Sequence, residues 1–252
     1  MSRFVDKTVF ITGGASGFGA LAAERFSEEG ANVVVVDVNG EGVEKVAAAV
    51  PRALAFEMDV TDADAVGRAF GQTVDAFGGV DVIFNNAGVD DLPVPLHETT
   101  QANWNRVQGV NGDGAFNVLR AGIAAMLHND SGGSVVNTVS IAGVIGIGGL
   151  TPYSYSKGGL IALTRAAAAE YAARNIRVNA IAPGATLTPL MEHYISLQDD
   201  PVAFRQKIES DSPLPGLVSA ESVVWTALFL ASDDAASITG LTIPVDNGQT
   251  VI

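Results

Sequence analysis

Tyr153 and Lys157 stand four residues apart in the run Tyr153-Ser154-Tyr155-Ser156-Lys157. On a helix, residues i and i+4 share a face, so this spacing sets an ammonium beside a phenol. A free phenol has a pKa of about 10 and exchanges protons poorly at neutral pH. An opposite charge alongside favours the phenolate, and that makes the tyrosine a usable general acid–base. Many helices carry Tyr-x-x-x-Lys without any chemistry. The pair gains meaning from the residues that accompany it.

Near the N-terminus, the β-branched run Thr8–Thr12 reads as a buried strand. It leads into Gly13-Gly14-Ala15-Ser16-Gly17-Phe18-Gly19, after which Phe18, Leu21, Ala22 and Phe26 mark one face of a helix. Strand, glycine turn and helix place a phosphate at a helix N-terminus, where free N–H groups and the helix dipole both favour an anion. Glycine is needed because a Cβ would hold a pyrophosphate off the backbone. The spacing is Gly13-x-x-x-Gly17-x-Gly19, not the more general Gly-x-Gly-x-x-Gly, and a plain turn can carry such glycines too. A second strand over Asn32–Asp37 ends in an acid about twenty residues on, where a dinucleotide ribose needs a hydroxyl acceptor.

These residues need a frame to hold them. The pattern predicts helices over 41–49 and 62–77, the latter capped by Thr61 or Asp62, a long helical region over 100–127 and a Tyr-Lys helix over 152–173. Strands are expected over 54–58, 82–84, 135–138, 177–181 and 241–245. This alternation predicts an α/β fold: three layers of the Rossmann type, a doubly wound parallel sheet of about seven strands with helices on both faces. Residues 1–252 read as one dinucleotide-binding and catalytic domain. The segment 187–217 breaks the alternation, with four prolines and a short helix over Pro201–Ser210, and is expected to be a substrate flap.

Composition narrows the function. The chain has 252 residues, 48% of them hydrophobic, and a formal net charge of −14. Such a charge disfavours nucleic acid and anionic membranes as partners. No apolar run reaches the roughly 18 residues of a membrane span, and residues 1–7 lack the apolar stretch of a signal peptide. With no cysteine, disulfides and thiol chemistry are excluded. A cytoplasmic location is expected, and no cluster reads as a metal site.

The motifs Thr12-Gly13-x-x-x-Gly17-x-Gly19, Asp59-Val60, Asn85-Asn86-Ala87-Gly88, Asn111, Ser140, Tyr153-x-x-x-Lys157, Pro183-Gly184 and Val245-Asp246-Asn247-Gly248 occur in that order. In this the chain resembles the single-domain short-chain dehydrogenases/reductases, from about residue 4 to residue 250. The resemblance implies Tyr153 as general acid–base and Lys157 as the group that lowers its pKa and binds the nicotinamide ribose. Ser140 would steady the substrate oxygen, and Asn111 would hold a proton-relaying water. The family more often has serine at position 139 as well, where this chain has Val139. The resemblance also implies a homo-oligomer, often a tetramer, built partly on the helices that carry Asn111 and Tyr153.

It implies a cofactor cleft too. Ser16 and Phe18 sit in the glycine turn, Asp59 and Val60 would flank the adenine, and Asn86, Ala87 and Gly88 the adenosine ribose. Pro183, Gly184, Thr186 and Thr188 would meet the nicotinamide carboxamide. Asp37 selects NAD(H), because its carboxylate accepts from the ribose hydroxyls and repels a 2′-phosphate, and Ser16, Phe18 and Val38 offer no basic rescue. Asp246, after the last strand, reads as a turn residue. The expected pocket is apolar (Ile141, Val144, Ile145, Ile147, Leu150, Leu190, Met191), with no Lys or Arg placed to hold an anion and with His193 as an exposed flap residue. The favoured function is an NAD-dependent dehydrogenase of a small neutral secondary alcohol or ketone. A 3-oxoacyl-carrier-protein reductase and a catalytically silent NAD-binding regulator are the alternatives.

Overall fold

In the computed structural model, which describes residues 2–129 and 131–251, seven parallel strands form one sheet in the order β3-β2-β1-β4-β5-β6-β7. They are β1 (Thr8–Thr12), β2 (Asn32–Asp37), β3 (Ala53–Glu57), β4 (Val82–Asn85), β5 (Gly133–Thr138), β6 (Ile176–Pro183) and β7 (Thr242–Val245). Side chains alternate across a strand, so each β-branched run feeds two cores. Val9, Ile11, Val33 and Val35 pack on α1 (Gly17–Glu28), α2 (Gly40–Ala49) and α9 (Ala220–Ala231). Phe10, Val34 and Val36 pack the other way, on α3 (Ala63–Phe77), α5 (Ala115–Met126) and α6 (Thr151–Tyr171). The Phe10 and Phe70 rings stack there at 4.0 Å. This is the doubly wound three-layer fold.

Strand order reverses between β1 and β4, so the crevice beyond their C-terminal ends is the place where such sheets bind ligands. The glycine turn leaves β1 there, and Asn86–Gly88 leaves β4 beside it. A Cβ on Gly19 would overlap the Gly13 carbonyl, and one on Gly13, itself at φ 66°, would sit 2.9 Å from the Ala87 Cα. Glycine thus lets turn, helix and β4 loop close on one another.

Three elements differ from the sequence pattern. The long helical region is α4 (Gln101–Gln108), a π-helical turn (Gly109–Gly114) and α5. The glycines at 112 and 114 make this distortion cheap, and a Cβ at Gly114 would run into Val60. The pattern names no helix over Ala220–Ala231, yet α9 lies there. Its buried face carries Val223, Val224, Ala227, Leu228 and Leu230, and its outer face carries the apolar Trp225 and Phe229 beside Glu221 and Ser222, which blurs the period. Within 187–217 there are two helices, not one: α7 (Pro189–Ser196) and α8 (Pro201–Ser210). The excursion closes on itself where Thr186 bridges Val218.

Candidate active site

Helix α6 presents Tyr153 and Lys157 one turn apart, with the lysine Nζ 5.6 Å from the phenol ring centre. Lys157 is 3% exposed and donates to the Thr138 carbonyl at 2.9 Å, at the end of β5. Ser140 follows β5, and its hydroxyl accepts from the Ala142 N–H at 3.1 Å. Burial pushes the Tyr153 phenol up to about 12, against which the neighbouring Ser140 hydroxyl pulls it down and the Asp90 carboxylate pushes it further up. Burial also lowers Lys157 to about 8. Both charged forms are disfavoured in a dry wall. The spacing alone predicts a phenol acidified by its lysine; in this structure burial is the largest influence on the phenol and raises it. Val139 is buried with Ala115, Leu160 and Ala180, an apolar setting in which a hydroxyl would lack a use.

Asn111 sits in the π-helical turn, fully buried behind the cleft. Its amide clamps Val89, accepting from the N–H at 2.8 Å and donating to the carbonyl at 2.9 Å. It also flanks Gly88, where a Cβ would lie 3.2 Å from the Asn111 Oδ1 and 3.4 Å from the Lys157 Nζ.

The residue that seats α6 escaped the sequence reading. Helix α6 has no side-chain cap of its own at Leu150. Asp91, 1% exposed in the loop after β4, supplies one from afar: its carboxylate accepts from the Tyr153 N–H at 3.2 Å. The same carboxylate accepts from the Leu92 N–H at 2.8 Å and the Asn103 amide at 2.5 Å. A carboxylate at a helix N-terminus is favoured by the free N–H groups and the dipole. Deeper in, the Asn85 amide donates to the Asn137 Oδ1 at 2.9 Å, and the Asn137 amide donates to the Thr164 hydroxyl at 3.0 Å. This chain pins α6 to β4 and β5. No local motif announces either feature.

One cleft of about 800 Å³ joins these groups to the strand-order crevice. Gly13, Ser16, Gly17 and Phe18 form its floor at the N-terminus of α1. Ser16 makes no side-chain cap bond, so the first N–H groups of α1 remain available to an anion. The Asp37 carboxylate lies on the wall at the end of β2, held by the Ala15 N–H at 3.2 Å and the Asn39 N–H at 3.0 Å. Asn86 and Gly88 line the middle. The Asn86 side chain accepts from the Thr138 hydroxyl at 3.1 Å and donates to the Thr12 carbonyl at 3.1 Å. Pro183, Gly184, Thr186 and Thr188 line the stretch after β6. Floor, anchored carboxylate and threonines together fit a dinucleotide. Gly19, Ala87, Val38, Asp59 and Val60 do not reach the wall. Gly19 and Ala87 shape the turn, Val38 points to solvent, Asp59 accepts from the Thr61 N–H at 2.9 Å, and Val60 is core. Asp246 closes the turn after β7, accepting from the Gly248 and Thr250 N–H groups at 3.0 and 2.8 Å.

Comparison with known proteins agrees with this geometry. A family model described as enoyl-(acyl carrier protein) reductase matches residues 13–250. Levodione reductase of Leifsonia aquatica is 36% identical over 99% of this chain and 96% of its own length. Meso-2,3-butanediol dehydrogenase of Serratia marcescens is 38% identical over 98% and 96%. The structure of an NAD⁺-bound xylitol dehydrogenase superposes with a TM-score of 0.94 at 33% identity, covering 98% of this chain and all of that one. The chain belongs to the short-chain dehydrogenase/reductase family. It is an oxidoreductase, an alcohol dehydrogenase or ketone reductase that uses a nicotinamide cofactor.

The end of the cleft nearest Tyr153 is lined by Ile141, Ile145, Ile147 and Leu150 and by residues of α7 and α8. Val144 points away and is exposed. Leu190, Met191 and Tyr194 come from α7, and Phe204 from α8, its ring 5.7 Å from Tyr194. The sequence pattern places no cation at the pocket. The structure corrects this, because α8 folds back and sets Lys207 on the wall with Asp211 one turn on. His193 is exposed on α7, with its Nε2 3.8 Å from the Asp90 Oδ2.

Proposed function

We propose that this chain is an NAD(H)-dependent enzyme of a small neutral secondary alcohol or ketone, with Tyr153 as its general acid–base. The observation that carries the reading is the placement of Tyr153, Lys157 and Ser140 at one end of the cleft and of the Asp37 carboxylate at the other. When bound, the nicotinamide gives or takes the hydride. The Tyr153 Oη gives its proton to the substrate oxygen during reduction and takes one back during oxidation. The Ser140 hydroxyl donates to that oxygen as charge builds on it. Lys157 places its ammonium between the phenol and the cofactor ribose, and Asn111 holds the β4 loop against it. Asp37 would accept from the adenosine ribose hydroxyls and its charge would repel a 2′-phosphate, which supports NAD(H) as the cofactor.

Four carboxylates on the cleft wall (Asp37, Asp90, Asp91 and Asp211) face two ammonium groups (Lys157 and Lys207). This balance supports a neutral substrate over an anionic one. The reported relatives are named for levodione, meso-2,3-butanediol and xylitol. The 3-oxoacyl-carrier-protein reductase reading is not favoured, since the curated relatives reported above are named for small molecules and a net charge of −14 opposes docking of an acidic carrier. We further assign 187–217 as a flap of a single 1–252 domain, since Leu190, Met191, Tyr194 and Phe204 overhang the cleft. Exposed Phe116 and Tyr155 on α5 and α6 support a homotetramer, which light scattering tests. A panel of alcohols and ketones with NAD(H) and NADP(H), followed at the nicotinamide absorbance, tests the function; no turnover with any member refutes it.

A further inference from the structure

Asp90 carries a carboxylate that the fold does not use. It lies in the loop after β4, on the wall of the cleft that holds Tyr153. Its side chain is 14% exposed, and its Oδ2 is buried with no hydrogen-bond partner. Its neighbour Asp91 is fully engaged by three donors, as described above. The Asp90 carbonyl accepts from the Arg106 guanidinium at 2.8 Å, and the carboxylate takes a hydrogen bond from its own backbone, which leaves the Oδ2 without a partner. The imidazole of His193 on α7 brings its Nε2 to 3.8 Å from the Oδ2, too far for a hydrogen bond. An orphaned buried acceptor costs about 1–3 kcal/mol, more when charged, and folds rarely keep one without a use.

We propose that Asp90 accepts a hydrogen bond from a second hydroxyl of the substrate, so that the substrate of this dehydrogenase is a diol or a hydroxyketone. The inference rests on the proposed alcohol and ketone activity. Several features select a hydroxyl over an ammonium. Burial raises the Asp90 carboxyl overall, against the pull of the Arg106 guanidinium, which already places one positive charge beside it. The surrounding wall of Leu150, Met191 and Tyr194 is largely apolar, and burying a further cation there costs far more than burying a hydroxyl. Asp90 and Tyr153 line the same cleft, so one substrate can present an oxygen to each. Asp90 is thus a specificity residue, and Tyr153 acts on the other oxygen.

The test compares kcat/KM for matched pairs: cyclohexanol with cyclohexane-1,2-, 1,3- and 1,4-diol, and butan-2-ol with butane-2,3-diol. The diol of at least one pair should exceed its mono-ol by about 30-fold or more, because a site built around a hydroxyl rejects the analogue that lacks it. In Asp90→Ala that ratio should fall to within about 3-fold of one, while Asp90→Asn, which keeps an acceptor, retains part of it. Equal ratios in the parent and Asp90→Ala overturn the proposal, as does a matched loss on mono-ol and diol together. A third arm uses 1-aminopropan-2-ol; if Asp90→Ala loses this substrate and keeps the diols, the ligand group is an ammonium and the proposal is wrong. Binding is read separately by calorimetry, titrating each diol into the NADH complex of Tyr153→Phe with and without Asp90→Ala. Diol affinity should drop at least 10-fold when Asp90 is removed. Because this arm needs no turnover, it decides the role of Asp90 even where the activity panel fails and the proposed function falls.

Discussion

Replacing Asp91 by alanine removes the acceptor that seats the N-terminal turn of α6, and the cost can be worked from its partners. Three donors lose their acceptor: the Tyr153 N–H, the Leu92 N–H and the Asn103 amide. Leu92 is exposed enough for water to take over, so two losses count. Hydrogen bonds to a charged group are worth about 1.5–3 kcal/mol each, which gives about 3–6 kcal/mol gross. Removing a buried carboxylate returns part of that through relieved desolvation, so a net loss of about 2–4 kcal/mol is expected. For a chain of this size each kcal/mol shifts the melting temperature by about 2–4 °C, so Asp91→Ala should melt about 5–15 °C lower. Asp91→Asn keeps an acceptor and loses the charge; a helix cap of that kind costs about 1 kcal/mol. The assay is thermal unfolding by circular dichroism at fixed protein concentration, since melting of an oligomer depends on concentration. Activity should suffer beyond stability. The capped N–H belongs to Tyr153 itself, and a misplacement of about 1 Å can cost about 100-fold. At a temperature where both variants are folded, kcat/KM should fall 10- to 100-fold in Asp91→Ala. Melting within 2 °C of the parent, with full activity, would refute the capping argument.

Four further outcomes are expected. Tyr153→Phe should lose all but a few per cent of turnover and keep NADH affinity within a few-fold by fluorescence titration, whereas Tyr155→Phe, at a side chain 63% exposed, should be tolerated; substantial activity in Tyr153→Phe removes it as acid–base. NAD(H) should exceed NADP(H) in kcat/KM by at least about 100-fold, or about 2.7 kcal/mol, and Asp37→Ser should narrow the gap; equal use of both cofactors refutes the role of Asp37. A phenol raised to about 12 holds its proton throughout the neutral range, so alcohol oxidation, which needs the base form, should quicken as pH rises from 7 to 10. Ketone reduction should instead weaken above about 8, where Lys157 loses its ammonium; oxidation that slows with rising pH contradicts both assignments. Amides over 187–217 should exchange hydrogen quickly in the free enzyme and slow markedly with NADH and a substrate analogue together, and slow exchange in both states rules out a flap.

What the sequence made legible follows from how each contact is encoded. The strands were readable because a parallel sheet buried on both faces demands continuous β-branched runs, as in Asn32–Asp37. Tyr153 and Lys157 were readable because one turn of helix makes sequence spacing and spatial proximity the same thing. Asp91 and Tyr153 lie 62 residues apart, and no period or motif spans that gap. Their contact exists only because β4 and α6 end at the same edge of the sheet. Lys207 and Asp90 escaped for the same reason, since each reaches the cleft through a loop or helix that folds back over it. Helix α9 is hidden for another reason: Trp225 and Phe229 take places on its outer face, so the polar stripe that betrays a helix is reduced to Glu221, Ser222 and Thr226. Spacing also says nothing about dielectric. It set an ammonium beside a phenol, from which a depressed pKa follows in water; in the packed wall, desolvation raises the phenol and lowers the amine instead. That reversal has a functional sense. A tyrosine that holds its proton across the neutral range is poised to give that proton to a carbonyl oxygen, as reduction requires.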